Sequence, residues 1–380
     1  MKNILVIHQS AELYGSDKTL LLLLTGLDKT KFQAVVILPG HGPLVHELEK
    51  EGIKVVVLPV LKLYRKMFTP VNLLQFVKEF RSVLPQLDIL NERYKFDVIY
   101  SNTLAVLLGM FYTRRSKIKH VWHVHEIVVH PKVFANLFAW LLKKYASVVV
   151  CNSLATLTNL TSRIPSLANK SVVVHNGLNA QEAQHPALVF SKATAGFKDS
   201  DVIITLVGRI SRLKGHKWLL STYIKYFIDS AVKLLFVGSP VPGQEYYLHE
   251  VEDIIQAANL KDKVIIVPFT KDLQGVWAST DIAVMPSTEA ESFGLVALEA
   301  MLAKKPVIAS NHGGLIEIVK DNNTGFLVPS GNEESFAAAI NKLVSNEGLR
   351  LQMGQKGYER ALQEFSQEKY IQGMVNVLNC

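Results

Sequence analysis

The chain has 380 residues, of which 49% are apolar and 19% charged. That is enough for two or three domains with sizeable cores, and too apolar for disorder. Two cysteines, Cys151 and Cys380, exclude a disulfide scaffold or a zinc cluster and point to a reducing compartment. Lys and Arg number 41 against 33 Asp and Glu, a net charge of +8, which suits acidic partners such as phosphates, anionic lipid or nucleic acid. The excess is uneven: residues 1–180 hold 22 basic and 11 acidic side chains, a net of +11, and residues 181–380 hold 19 and 22, a net of −3.

No run of about 18 uncharged apolar residues reads as a membrane span; the nearest, 134–151, is broken by Lys143 and Lys144. After Lys2 the apolar run Ile4 to Ile7 is too short for the core of a signal peptide and reads as a buried first strand. A soluble, cytoplasmic chain is the expectation.

Short Val/Ile-rich runs then alternate with helical patterns, the signature of parallel sheets covered by helices on both faces. Strands are predicted at 3–8, 34–38, 54–58, 97–100, 120–124, 147–151 and 171–175, with helices such as 17–27, 44–51, 72–84 and 134–145 between them. This half reads as one doubly wound sheet of about seven strands. Residues 177–200 hold no convincing strand and mix Gly, Pro, Ala, Gln and Ser. The linker is therefore placed at 181–200, between domains 1–180 and 201–364. A second series of strands follows at 202–207, 233–237, 264–267, 282–285, 307–309 and 326–328. Helical patterns at 333–345, 348–364 and 367–378 close the chain.

In open α/β sheets ligands bind at the carboxyl ends of strands, so the loops there carry the chemistry. The stretch Val207-Gly208-Arg209-Ile210-Ser211-Arg212-Leu213-Lys214-Gly215-His216 follows a strand and opens a helix. It combines a glycine, a fork-shaped guanidinium, a lysine and a helix N-terminus, the parts that hold a diphosphate. The glycine and lysine spacings of nucleotide-binding fingerprints are absent, and solvated surface charge is the alternative. Farther on, Glu289-Ala290-Glu291-Ser292-Phe293-Gly294-Leu295-Val296-Ala297-Leu298-Glu299 again follows a strand and opens a helix. Helix amides would hold an anion while Glu291 and Glu299 accept hydrogen bonds from hydroxyls on either side of it, the outline of a nucleotide diphosphate sugar. The alternative is a helix cap at Glu291 and a surface residue at Glu299.

Glu291 and Glu299, with seven residues between them, resemble the E-x7-E motif of the retaining glycosyltransferases of family 4, of the kind that builds bacterial cell-surface polysaccharide. Pro306 to Gly314, Asn323 to Val328, Gly208-Arg209 and Lys214-Gly215 are similar to the family's other runs, in the same order. In the first half the likeness is looser: Tyr14-Gly15-Ser16-Asp17 stands where the family often has two adjacent glycines, with Pro39 to Leu44 and Asn176 to Asn179 also similar. The resemblance implies the GT-B fold: two Rossmann-like domains with a cleft between them, acceptor on the first and donor on the second. It also implies that the last helix, 365–380, returns to the first domain.

By the same likeness, Arg209 and Lys214 would bind the donor diphosphate, Glu299 the ribose and Glu291 the sugar hydroxyls. Gly208 and the backbone of Phe293, Gly294 and Leu295 would lie against phosphate or sugar oxygens, and Gly15 would admit close approach. His125, followed by Glu126, matches a family histidine near the reacting centre. His120, His123 and His125 read as facing one side of a strand, but a metal site is not expected there. Asp199-Ser200-Asp201 fits a metal-binding pattern, yet it precedes a strand instead of following one, and cations already serve the diphosphate. No metal and no cofactor are therefore expected.

The implied reaction is a front-face transfer in which the departing phosphate oxygen takes the acceptor's proton. Basic and aromatic residues interleave at Lys62, Tyr64, Arg65, Lys66 and Phe68, and at Tyr112, Arg114, Arg115, Lys117 and Lys119. Such patches suit an anionic membrane surface and a lipid-linked glycan acceptor. No nucleic-acid module is present. A nucleotide-sugar epimerase of the same fold and a donor-binding subunit without catalysis are the rival readings.

Overall fold

A computed structural model of the chain describes residues 1–63, 67, 69–180 and 190–379. The chain forms two compact units, one of Met1–Gly177 with Gln367–Cys380, the other of Leu178–Ser366.

The first unit alternates strand and helix: β1 (Lys2–His8), α1 (Gly15–Gly26), β2 (Phe32–Leu38), α2 (Pro43–Lys50), β3 (Lys54–Val57) and α3 (Pro70–Tyr94). There follow β4 (Val98–Asn102), α4 (Leu108–Ser116), β5 (Lys119–Val124), α5 (Lys132–Tyr145), β6 (Val148–Cys151), α6 (Leu154–Thr161) and β7 (Ser171–Val173). All seven strands are parallel, in the order β3-β2-β1-β4-β5-β6-β7. Strands buried on both faces need apolar residues at every position, which is why β1 is an unbroken run. Leu5 and Ile7 enter the core beneath α3, α4 and α5, whereas Ile4 and Val6 enter the core on the opposite face.

The second unit contains β8 (Val202–Val207), α7 (His216–Phe227), β9 (Val232–Val237), α8 (Tyr246–Ala257), β10 (Val264–Val267), α9 (Leu273–Ala278) and β11 (Ile282–Met285). It continues with α10 (Leu295–Leu302), β12 (Val307–Ser310), α11 (Leu315–Ile318), β13 (Gly325–Val328), α12 (Glu333–Val344) and α13 (Glu347–Glu364). Its six-stranded sheet runs β10-β9-β8-β11-β12-β13, also parallel. The last helix, α14 (Gln367–Asn379), belongs to the first unit. Its Tyr370, Met374, Val377 and Leu378 complete the core around Leu20, Leu23 and Leu24 of α1.

Three expectations change. The helix predicted at 72–84 continues to Tyr94 through Pro85. An interior proline costs about 3 kcal/mol, but Val83 and Leu87 on either side of it are fully buried, and that packing outweighs it. Of the proposed linker, 181–189 lies outside the described residues, while Ala195 and Phe197 are buried in the core of the second unit, so 190–200 is part of that unit. In the first patch of basic and aromatic residues, Tyr64, Arg65, Lys66 and Phe68 also lie outside the described residues. In the second, Tyr112 is buried and donates its hydroxyl to the Leu87 carbonyl at 3.0 Å, and Arg115 is tied to Asp88, so the patch is not the exposed mixture expected.

Truncating Met374, fully buried between α14 and α1, tests the return of the last helix. Met374→Ala is expected to cost about 2–5 kcal/mol, read as a lower urea midpoint. An unchanged midpoint would show that α14 contributes nothing to the first unit.

Candidate functional site

In the second sheet the connections leave β8 in one direction and β11 in the other, so these neighbours form the switch point at which open α/β sheets hold ligands. The loops after the two strands meet there. Lys214 Nζ lies 2.9 Å from Glu291 Oε1, with the two side chains 23% and 16% exposed. Ser287 donates its hydroxyl to the same oxygen, and Arg212 pairs with Glu289. The Thr288 amide donates to the Leu213 carbonyl and its hydroxyl to the Arg212 carbonyl, both at 2.9 Å. Burial opposes the charge on Glu291, but Lys214, Ser287 and His312 outweigh it and hold the carboxyl below its ordinary range.

Two glycines permit this closeness. Gly215 has φ +77°, and a Cβ on it would stand 2.1 Å from the Pro286 carbonyl oxygen. The loop after β12 approaches from the other side, where a Cβ on Gly314 would stand 2.6 Å from Phe293 Cα. The Gly314 amide donates to the Glu291 carbonyl at 2.7 Å, and His312 Nε2 donates to the Ser287 carbonyl at 2.9 Å. Loops from three neighbouring strand ends thus hold Glu291, two at its carboxylate and one at its backbone carbonyl.

The structure brings Gly208, Lys214 and Glu291 together, since the Lys214 stem passes within 3.3 Å of where a Gly208 Cβ would be. Arg209 is exposed at the start of the same loop. Gly294 caps α10 and its carbonyl accepts the Ala297 amide at 2.9 Å, so only the Leu295 and Val296 amides precede the helix's own bonding. Phe293 is buried edge-on against Phe365, leaving only its backbone for a ligand. Glu299 is half-buried on the second turn of α10. Asp201 sits at the amino end of β8 and accepts the Lys198 amide at 2.9 Å, a turn role.

The first sheet has its own switch point, between β1 and β4, and there the structure shows residues that sequence reasoning missed. His8 ends β1 and Asn102 ends β4. Asp17, in the first turn of α1, accepts the Tyr14 amide at 2.8 Å and holds His8 Nε2 at 2.5 Å. A carboxylate accepts, so His8 carries a proton on Nε2, while its Nδ1 lies 3.0 Å from the Asn102 side-chain amide and 3.2 Å from the Asn102 backbone carbonyl. The same amide nitrogen donates to the Ser16 carbonyl at 3.3 Å, which leaves Asn102 Oδ1 to accept from His125 Nε2 at 2.8 Å and from the Tyr100 hydroxyl at 3.1 Å. His125 is thereby fixed as the tautomer with a free Nδ1 lone pair. Gly15 opens α1 beside this network. The signal in the sequence was positional: two polar residues, each ending a strand.

Glu126 accepts the amides of Leu104 and His125, both at 3.0 Å, and burial raises its carboxyl above the ordinary range. The three histidines do not share a face. His123 and His125 do, with ring centroids 3.9 Å apart, but His120 lies on the other side, bonded to Ser101 Oγ at 2.9 Å and the Tyr145 carbonyl at 3.2 Å. Side chains alternate along a strand, so an even and an odd position cannot face the same way.

Residues 14–182 match the family model described as Glycosyltransferase Family 4, and residues 190–360 match Glycosyl transferases group 1. The chain belongs to these glycosyltransferase families. An uncharacterised glycosyltransferase of Methanocaldococcus jannaschii is 29% identical over 237 residues, 60% of this chain and 59% of that protein. A D-inositol 3-phosphate glycosyltransferase of Corynebacterium urealyticum is 28% identical over 224 residues, 57% and 53% of the two. The chain thus spans a little over half the length of these curated relatives. Among solved structures, Anabaena HepE in complex with UDP and glucose superimposes with a TM-score of 0.86 at 23% identity over 100% of both chains. The lipopolysaccharide outer core galactosyltransferase WaaB gives 0.71 at 15% over 99% of each. The fold of this glycosyltransferase is therefore that of the solved GT-B enzymes: two Rossmann-like domains, each a helix-covered parallel sheet.

Burial keeps His123 neutral down to about 3 and His120 down to about 4, against 6.5 for a free histidine. The unfolded chain therefore binds these protons first, and stability, complete above about pH 6.5, is lost as pH falls toward 4. The melting temperature is expected to drop across that window, and less steeply in His123→Gln. An equal slope in the variant would remove His123 from the account.

Proposed function

We propose that this glycosyltransferase moves a hexose-type sugar from a nucleotide diphosphate sugar to a hydroxyl of a glycan or lipid-linked glycan, with retention and without a metal. The cation–carboxylate pair of Lys214 and Glu291 across the β8–β11 switch point carries the reading. It places a phosphate-binding charge and a hydroxyl acceptor side by side, close in sequence to the Leu295 and Val296 amides that begin α10. Arg209 and Lys214 hold the diphosphate, Glu299 the ribose and Glu291 the sugar hydroxyls. Gly208, Phe293, Gly294 and Leu295 contribute backbone, Gly15 admits close approach, and His125 orients the sugar.

In the transfer the bond from the anomeric carbon to the diphosphate breaks, and the acceptor oxygen bonds that carbon on the same face. The acceptor's proton passes to the departing phosphate oxygen. Lys214, Arg209 and the helix amides stabilise the charge that develops there. A cavity of about 260 Å³ at the carboxyl ends of β2 and β3, lined by Pro39, Val57, Val60, Asn72, Gln75 and Glu79, offers amides and a carboxylate over an apolar floor, which suits a sugar acceptor. HepE is solved with UDP-glucose as well as with UDP and glucose, which makes UDP-glucose the first donor to try. The proposed setting is surface polysaccharide synthesis, as for an O-antigen, capsule or exopolysaccharide, on the cytoplasmic face of the membrane. Among the described residues no helix is long and apolar enough to cross a membrane.

Lys214→Ala is expected to lower transfer by about 10²–10³-fold with an unchanged circular dichroism spectrum; near-normal turnover would sink the assignment. Chelation with EDTA is expected to leave the rate unaltered. Proton NMR of the product is expected to show the donor's anomeric configuration, and an inverted product would end the retaining reading. An epimerase would release an altered sugar without acceptor.

A further inference from the structure

One surface of the first unit has no use in that scheme. Helix α5 buries Ala135, Phe138, Ala139, Leu141 and Leu142, and turns Val133, Leu137 and Trp140 outward at 75%, 36% and 45% exposure. These three recur once per helical turn, so they form a single stripe along the outer face. A folded monomer gains nothing from leaving it in water.

The charge around the stripe is one-sided. Residues 127–181 contain no Asp or Glu, but they contain Lys132, Lys143, Lys144, Arg163 and Lys170. Lys144 Nζ sits 4.7 Å from the centroid of the Trp140 ring, and the Lys170 ammonium binds the Lys143 carbonyl at 2.6 Å. The His120 amide and ring bond to Ser147 and Tyr145, each at 3.2 Å, which brings Lys119 to the same end of α5. Among the described residues Lys132, Lys143 and Lys144 make no ion pair.

We propose that the outer face of α5 docks on an anionic lipid surface, with Val133, Leu137 and Trp140 entering the headgroup boundary and Lys132, Lys143 and Lys144 meeting lipid phosphates. A helix with an apolar stripe, an interfacial tryptophan and lysines alone on its flanks is built for that boundary. A protein partner of ordinary mixed charge would leave the lysines unmatched, whereas a bilayer rich in anionic headgroups matches stripe and charge together. This gives the lipid-linked acceptor of the proposed function a place to be met, but docking is measured without turnover, so either reading can fail while the other stands.

The test is sedimentation of the full chain with vesicles of phosphatidylcholine alone and of phosphatidylcholine with 30% phosphatidylglycerol. Binding is expected on the anionic vesicles, weakening as salt rises, and Lys143→Glu with Lys144→Glu is expected to weaken it about tenfold or more. Leu137→Glu with Trp140→Glu is expected to abolish it. No binding, equal binding to both vesicles, or variants that bind like the parent would overturn the proposal. So would a concentration-dependent dimer lost in Leu137→Glu, which would assign the face to a second copy. Should a variant fold poorly, the emission that Trp140→Phe removes is expected to shift to the blue on anionic vesicles; an unshifted emission overturns the proposal as well.

Discussion

The ion pair between Lys214 and Glu291 is the interaction on which the loops of the second unit's switch point depend, because it ties together connections that the sheet order sends apart. Two partly buried charges of opposite sign lose hydration, and only close, well-satisfied contact makes up for it. Glu291 is accordingly held by Lys214 and Ser287 at its side chain and by Gly314 at its carbonyl. The glycines at 215 and 314 follow from the same requirement, since any side chain there would push the loops apart. A site assembled in this way presents its carboxylate and cation at fixed positions before a ligand arrives, and fixed charge is what stabilises a transition state.

The first unit solves a different problem at the equivalent place. Its switch point carries a chain of hydrogen bonds from Asp17 through His8 and Asn102 to His125. The Ser16 carbonyl accepts from the Asn102 amide and so leaves Asn102 Oδ1 for His125, and the tautomer of that imidazole is decided by a group that it does not touch. Burial disfavours protonation of His125 and His123, which keeps that tautomer intact near neutral pH. The two sheets therefore share a topology while one presents charge and the other presents a single oriented lone pair.

The uneven charge of the chain acquires a location from these details. The cations proposed to hold phosphate lie in the half that is net acidic, so on that proposal the donor does not use the surplus of the first half. Much of it borders α5, where an apolar stripe lies among lysines with no acid from residue 127 to residue 181. Helices α3, α4 and α5 cover the same sheet face, yet α4 ties Arg115 to Asp88 of α3, whereas the lysines of α5 have no such partner among the described residues.

The sequence by itself determined the alternation of strands and helices, the two sheets and the loops around Lys214 and Glu291. Each of these is written in local pattern: apolar runs for strands buried on both faces, helical periodicity between them, and polar residues directly after strands. Even the last helix could be placed, though only through a family likeness. Tertiary structure decided what local pattern does not carry. Pro85 is kept inside α3 by packing of Val83 and Leu87, His120 is turned away from His123 and His125 by the pleat, and Ala195 and Phe197 are drawn into a core. The network from Asp17 to His125 joins residues as far as 94 positions apart. Their spacing along the chain says nothing of it, because hydrogen-bond polarity and burial exist only once parallel strands stand side by side.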